Sequence, residues 1–212
     1  MDEYFVDVMG KDKAKSLDIL IEHGITINYA ITRNYDGGGY VRKIIATATM
    51  ANDDDDKDEV ISVMEINTLD CLSFLNWYEV EDYADVVDQE FFDVCMTFLK
   101  SDYDEENEDG FIDITDSGDF IYIHEFIVEE KYQGKGFGKA IAMEIIDFIR
   151  EGGDILVVQP YPIKDKENPK AYERVKNFWC SIGFENVNNQ YYGYELDDYN
   201  IVAEQVHNVF DV

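Results

Sequence analysis

Three glycines and three lysines fall within the eleven residues KYQGKGFGKAI, Lys131–Ile141, and no acid stands among them. Glycine has no Cβ, so the backbone of such a turn can come close to a ligand. If the turn leads into a helix, its amide N–H groups and the helix dipole favour an anion. Phosphate binding is therefore the chemistry that these residue types suit, and three patterns compete for it. The Walker pattern needs glycine where Gln133 stands and Ser or Thr where Ala140 stands, so it fails twice. The dinucleotide pattern G-x-G-x-x-G fails at Lys139 from Gly134 and at Ile141 from Gly136. The third pattern, Q/R-x-x-G-x-G/A, is met by Gln133, Gly136 and Gly138. Metal chemistry has less to build on. Cys71, Cys95 and Cys180 lie in no paired spacing, and His23, His124 and His207 are far apart with no cysteine beside them.

The elements around the turn suit that role. FIYIHEFIV, Phe120–Val128, reads as a strand, and the stretch after the turn reads as a helix to about Arg150, with Ile141, Ile145 and Phe148 on one face. Upstream, KDKAKSLDILIEH (11–23) predicts a short helix with Leu17, Leu20 and Ile21 on one face, stopped by Gly24. GITINYAITRNY, VRKIIATATM and EVISVMEINTL predict a three-stranded meander, with glycines of YDGGGY at one turn and the acids of Asp53–Lys57 at a hairpin tip. Residues 79–119 hold 16 acids and one base, Lys100. Within them Val86, Phe91, Val94, Cys95, Phe98 and Leu99 repeat with helical period, and SDYDEENEDG reads as an acidic loop. Downstream, Gly152 and Gly153 end the post-turn helix and DILVVQ is a short buried strand. Ala171, Val175, Phe178 and Ile182 stripe a helix closed by Gly183, and FENV and YYGYELD are closing strands. The order is β-β-β-α-β-α-β-α-β-β, an α/β pattern.

Composition narrows the partners. Apolar residues at 46% support a full core, and 212 residues fit one domain, 1–212, with an insert at about 79–119 and a short tail at about 200–212. The formal charge of −30 leaves no basic face for nucleic acid and would repel an anionic membrane. A cationic small molecule or protein segment fits better. The sparse, odd cysteine count suggests a reducing compartment, and the acidic N-terminus has no signal-peptide core, so a cytoplasmic protein is expected. No apolar run approaches a membrane span.

YIHEFIVEEKYQGKGFGKAI followed by FWCSIGF resembles the GNAT superfamily of N-acetyltransferases, the first stretch its strand and pyrophosphate loop, the second its later helix. The likeness covers roughly Gly24 to Leu196. It implies a GNAT fold, a mixed central sheet splayed between two parallel strands, here with an acidic helical insert. It implies acetyl-CoA as donor and an amine as acceptor. Backbone groups near Ile127 and Val128 would bind the pantetheine arm, and Gln133, Gly134, Lys135, Gly136, Phe137, Gly138 and Lys139 the pyrophosphate. Lys131, Lys135 and Lys139 would offset the repulsion between a polyanion and an acidic chain. A homodimer is left open.

Acyl transfer to an amine needs a group to take the amine's proton and one to protonate the leaving thiolate. Glu125 is the first candidate for the base or for an anion that binds the amine, because it lies three residues before Val128. In diamine acetyltransferases two adjacent acids occupy this strand, and here His124 and Glu125 hold those places. Neighbouring strand residues point to opposite faces unless a bulge intervenes, so at most one faces the site. Many family members carry a tyrosine acid four residues before the Gly-Phe glycine. Trp179 holds that place, and an indole N–H is no usable acid. The alternatives are Tyr172, where an asparagine is familiar, water, or no defined group. The alternative function is a weak or inactive binding module that engages a basic partner through its acidic surface. The insert either covers the acceptor pocket or is a solvated decoration.

Overall fold

The computed structural model describes residues 3–34, 40–52, 57–71, 84–85, 87–100, 112–113, 118–150, 154–164, 166–187 and 190–194. The YDGGG turn, the tip at Asp53–Asp56, Val86, the SDYDEENEDG loop, Gly152, Gly153 and the tail from 200 to 212 lie outside them. The elements are α1 (Glu3–Glu22), β1 (Ile25–Asn34), β2 (Val41–Met50), β3 (Glu59–Asp70), α2 (Gln89–Phe98), β4 (Leu99–Lys100), β5 (Ile112–Asp113), β6 (Asp119–Val128), α3 (Phe137–Ile149), β7 (Ile155–Val158), α4 (Pro169–Ile182), β8 (Phe184–Asn186) and β9 (Tyr192–Tyr194). A single 3₁₀ turn, Glu130–Tyr132, follows β6.

Seven strands form one sheet in the order β1-β2-β3-β6-β7-β9-β8, and β4 and β5 form a separate parallel pair. β6 and β7 pair in parallel from Phe120↔Ile155 to Ile123↔Val158. Phe120 to Ile123 and all four residues of β7 are buried, as strands covered on both faces are. β6 then runs five residues further, to Val128, past this register. β7, β9 and β8 pair antiparallel.

By internal contacts the chain divides into two units, each spread over three segments. The first holds Met1–Ala30, Ile45–Glu65 and Glu125–Arg150. In it α1 lies antiparallel to α3: Lys13 pairs with Asp147 at one end, the Ser16 hydroxyl donates to the Met143 sulfur at 3.4 Å, and His23 meets Phe137 at the other end. Two expectations are corrected here. The helix begins at Glu3, eight residues before the amphipathic pattern. Its buried positions among 13–22 are Ser16 and Leu20, whereas Leu17 and Ile21 are exposed, because the side facing α3 runs through Lys13, Ser16 and Leu20. On α3, Ile141 and Ile145 are buried as expected, but Phe148 is 60% exposed and stacks on Tyr29 of β1 at 4.0 Å.

The second unit holds Ile31–Ile44, Ile66–His124 and Glu151–Val212. Its core joins Leu69, Phe91, Val94, Cys95, Phe98, Phe120, Tyr122, Ile155 and Val157. Burying each of the larger apolar side chains contributes about 1.5–3 kcal/mol. α2 supplies Phe91, Val94, Cys95 and Phe98 at its i, i+3, i+4, i+7 spacing. It starts at Asp88, whose carboxylate caps the Phe91 N–H at 2.7 Å, a contact worth about 0.5–2 kcal/mol. Leu99, expected on the helical stripe, is buried in β4 instead, since the backbone turns extended at that residue.

Candidate active site

The glycine-rich turn lies between β6 and α3, as its sequence implies. Tyr132 N–H donates to Glu129 C=O at 2.9 Å, and Gln133 N–H donates to Glu130 C=O at 3.2 Å. The Gln133 side chain reaches back and donates through Nε2 to Val128 C=O at 2.7 Å, tying the turn to the strand end. Gly134 and Gly136 have φ of 71° and 89°, a region that side-chain-bearing residues rarely enter. Gly136 caps α3, and the first intrahelical bond is Ala140 N–H to Gly136 C=O. The N–H groups of Gly136, Phe137 and Gly138 therefore precede the helical ladder.

Packing beneath the turn explains its shape. Phe137 is buried, edge-to-face with His23 at 4.9 Å and with Tyr132 at 5.7 Å. Its ring holds the helix start, so its backbone N–H is what it offers to a ligand. Lys131 is engaged by the carboxylate of Glu59 and lies 5.0 Å over the Tyr132 ring. Lys131 first, then Tyr132, hold Glu59 below the ordinary carboxylate value, and Glu59 raises Lys131 in return. This ammonium is engaged by β3, so of the three lysines expected to offset the repulsion of a polyanion, Lys131 already faces a carboxylate. Lys135 is exposed and Lys139 half-buried. Ile127 and Val128, expected to serve the pantetheine arm, end β6, the first exposed and the second half-buried.

The candidates for proton chemistry divide. His124 lies beside Tyr122, with ring centroids 6.1 Å apart, and its Nδ1 is 3.6 Å from Glu90 Oε1 on α2. The Tyr122 hydroxyl donates to the same Glu90 oxygen. Burial first, then that carboxylate, raise Tyr122 well above the usual phenol value. Tyr191 is pushed up to about 12 by burial, with Asp93 and Glu90 adding. Glu125 is half-buried, with no hydrogen bond or ion pair among the described residues. Tyr172, half-buried in the first turn of α4, meets Tyr161 edge-on at 6.5 Å and carries Lys176 over its ring at 4.5 Å. No hydrogen bond or ring contact among the described residues joins Tyr172 to His124. Trp179 is buried, edge-to-face with Phe178 and Phe184 at 5.1 Å each, and so is part of the core.

Glu90, Tyr122 and Tyr191 escaped the sequence reading, and His23 was weighed there only as a metal ligand. Glu90 was one acid among 16, and its pairing with His124 spans more than thirty residues of chain.

A strand, an amide-lined glycine turn and a helix, in a mixed sheet with a parallel central pair, define an α/β protein whose turn has the form of a phosphate-binding loop. The family model described as "Acetyltransferase (GNAT) family" matches residues 63–174, just over half of the chain. The chain belongs to the GNAT acetyltransferase family, and its fold is the GNAT fold. That family uses acetyl-CoA as donor. No curated protein matches the chain. Among solved structures, the crystal structure of Arabidopsis thaliana NAA60 in complex with acetyl-CoA is similar at 14% identity and a TM-score of 0.36, over 80% of this chain and 98% of that one. No helix among the described residues is long and apolar enough to cross a membrane.

Proposed function

We propose that the chain transfers the acetyl group of acetyl-CoA to a primary amine, and that this amine is a cation in solution, as in a polyamine, an aminoglycoside-like compound or a protein lysine. The observation that carries the reading is the turn between Val128 and Gly138. It fits a pyrophosphate: Gly134 and Gly136 take positive φ, Gly138 adds a third position without Cβ, and amides precede the first helical bond. Amides of Gly136, Phe137 and Gly138 would hold the phosphates, Lys135 would add charge, and backbone groups of Ile127 and Val128 would orient the pantetheine arm. Bound there, acetyl-CoA supplies an activated thioester. His124 and Glu125 are the candidates to take the amine's proton, and Tyr172 to return one. The charge of −30 supports a cationic acceptor through long-range attraction, and a cytoplasmic setting belongs to the same proposal.

One observation favours a second reading, a coenzyme A-binding module without turnover. The place that holds a tyrosine acid in many relatives is a buried core tryptophan, Trp179. Thiol release from acetyl-CoA over polyamines, aminoglycosides and lysine peptides separates the two, with calorimetry measuring coenzyme A binding beside it. Release with any amine supports the enzyme. Binding without release from all of them supports the module. Failure to bind coenzyme A would overturn both.

A further inference from the structure

We propose that Glu90 is the positioning residue for His124: it accepts a hydrogen bond from Nδ1–H, and so presents Nε2 as the acceptor for a proton from the ammonium of the substrate. This rests on the acyl-transfer reading above and chooses His124 over Glu125 as the base.

The pairing starts from an orphan. His124 Nδ1 is buried and has no hydrogen-bond partner, which buried polar atoms rarely tolerate. Glu90 Oε1 lies 3.6 Å away, a few tenths of an ångström beyond a hydrogen bond. Such contacts often tighten only when substrate is bound. The other groups nearby fit this arrangement. Tyr122, kept protonated by burial, donates to Glu90, and a carboxylate has lone pairs left for a second donor. Tyr191 is neutral at physiological pH for the same reason. Asp88 is occupied by the Phe91 N–H, and Asp93 accepts from Gln89 Nε2 at 2.7 Å. Glu125 follows on the strand and by alternation leaves on the opposite face. Glu90 is therefore the carboxylate beside the imidazole.

A neutral imidazole has one donor and one acceptor nitrogen, and the partner of the first decides which is the second. With Nδ1–H held by Glu90, the Nε2 lone pair takes one proton from R–NH₃⁺. The N–H bonding pair stays on the amine nitrogen, leaving R–NH₂, and the imidazolium later gives its proton to water. The His124 side chain is 30% exposed, so water has access to it.

Two measurements on the full chain test this. In ¹⁵N-labelled protein the His124 imidazole signals, assigned by their loss in His124→Gln, should report the Nδ1–H tautomer, and Glu90→Ala should return the ring to Nε2–H. With an amine that turns over, His124→Gln should lower kcat/KM by about 10²–10⁴-fold and Glu90→Ala by about 10-fold or more, mainly in kcat. Glu90→Gln should move the acid limb of the kcat/KM profile to lower pH, since a neutral amide stabilises an imidazolium less than a carboxylate does. Glu90 is about half-exposed, and an unchanged far-UV spectrum would establish that its variants fold. Tyr122→Phe, which keeps the carboxylate, should retain the tautomer. An Nε2–H signal in the wild type overturns the pairing. A wild type that turns over, with Glu90→Ala equal to it, sinks this inference alone. A wild type that binds coenzyme A but acetylates no amine sinks the acyl-transfer reading and the proton role together.

Discussion

Gly136 and Gly138 are two residues apart, yet the structure predicts opposite effects on stability for the same substitution. Gly136 sits at φ 89° and ψ −15°, and a left-handed conformation costs an L-residue roughly 1–2 kcal/mol. An added Cβ would meet Ile19 Cδ1 at 3.6 Å, an ordinary contact, so the penalty for Gly136→Ala comes from the backbone and not from a clash. For a chain of this size 1 kcal/mol moves Tm by about 2–4 °C, so a fall of about 2–8 °C is expected. Gly138 lies inside α3 and is not among the positive-φ glycines. Ala there removes a helix-propensity penalty of up to about 1 kcal/mol, and Tm should hold or rise. Both substitutions should weaken coenzyme A, the first by turning amides away and the second by placing a methyl in the cradle. Gly136→Asp adds a repulsion of about 4 kcal/mol at about 4 Å and an effective dielectric of 20, which is more than about 10²-fold in affinity. Calorimetric titration with coenzyme A and a thermal melt of each variant provide the assay. If Gly136→Asp and Gly138→Ala both bind coenzyme A like the wild type, the turn is not the phosphate site.

Further outcomes follow from individual contacts. Lys131→Gln should leave coenzyme A affinity nearly unchanged because Glu59 already engages that ammonium, whereas Lys135→Gln should weaken it, more at low salt than at high; titrations at two ionic strengths check this. Burial first, then Glu144, push Tyr29 up to about 12, and Tyr191 also reaches about 12, so the folded chain holds more protons than the unfolded between about pH 10 and 12. Stability from these tyrosines is complete below pH 10 and should fall as pH rises through 12, seen as falling Tm together with a late phenolate absorbance phase. Trp179→Phe should keep most turnover and fold, while Trp179→Ala should lose about 3–5 kcal/mol in a denaturant titration. Glu125→Gln should raise KM for a cationic amine with kcat nearly intact if it only attracts the acceptor; a kcat loss of about 10²-fold or more would make it the base in place of His124.

The strands of the seven-stranded sheet and the turn were legible because short-range rules determine them, whereas β4 and β5 were not. Period-two alternation marked β1 to β3, and the spacing of Gln133, Gly136 and Gly138 identified the turn, in which Gly134 and Gly136 take φ angles that favour glycine. The helix faces were less legible. KDKAKSLDILIEH places Leu17 and Ile21 on an apolar stripe, but the side of α1 that packs on α3 runs through Lys13, Ser16 and Leu20. Phe148 fits the stripe of α3 and instead covers Tyr29 at the edge strand. Periodicity says that a helix has an apolar side; it does not say how wide a neighbour covers it. The site was half legible for the same reason. His124 and Glu125 were visible as strand-end candidates, but what separates them is Glu90, brought in by the apolar face of α2 packing on Phe120 and Tyr122.

That packing also bears on how a chain at −30 can hold a polyanion. If side-chain charge held the phosphates, the diversion of Lys131 to Glu59 would be a serious loss. Backbone amides at a helix start are a different kind of holder. They are neutral, their direction is set by Gly134, Gly136 and the Phe137–His23–Tyr132 packing, and they act at hydrogen-bond range. At physiological ionic strength the acidic surface is screened beyond about 8 Å, so acids more than that distance from the turn weigh little on a ligand held by direct amide contacts. The cationic amine proposed as acceptor would still gain from the same acids by attraction before contact. In the proposed reaction Glu90 would belong to both parts of this division: an acid from the acidic stretch, it stands 3.6 Å from the imidazole of His124 and would govern where that cation leaves its proton.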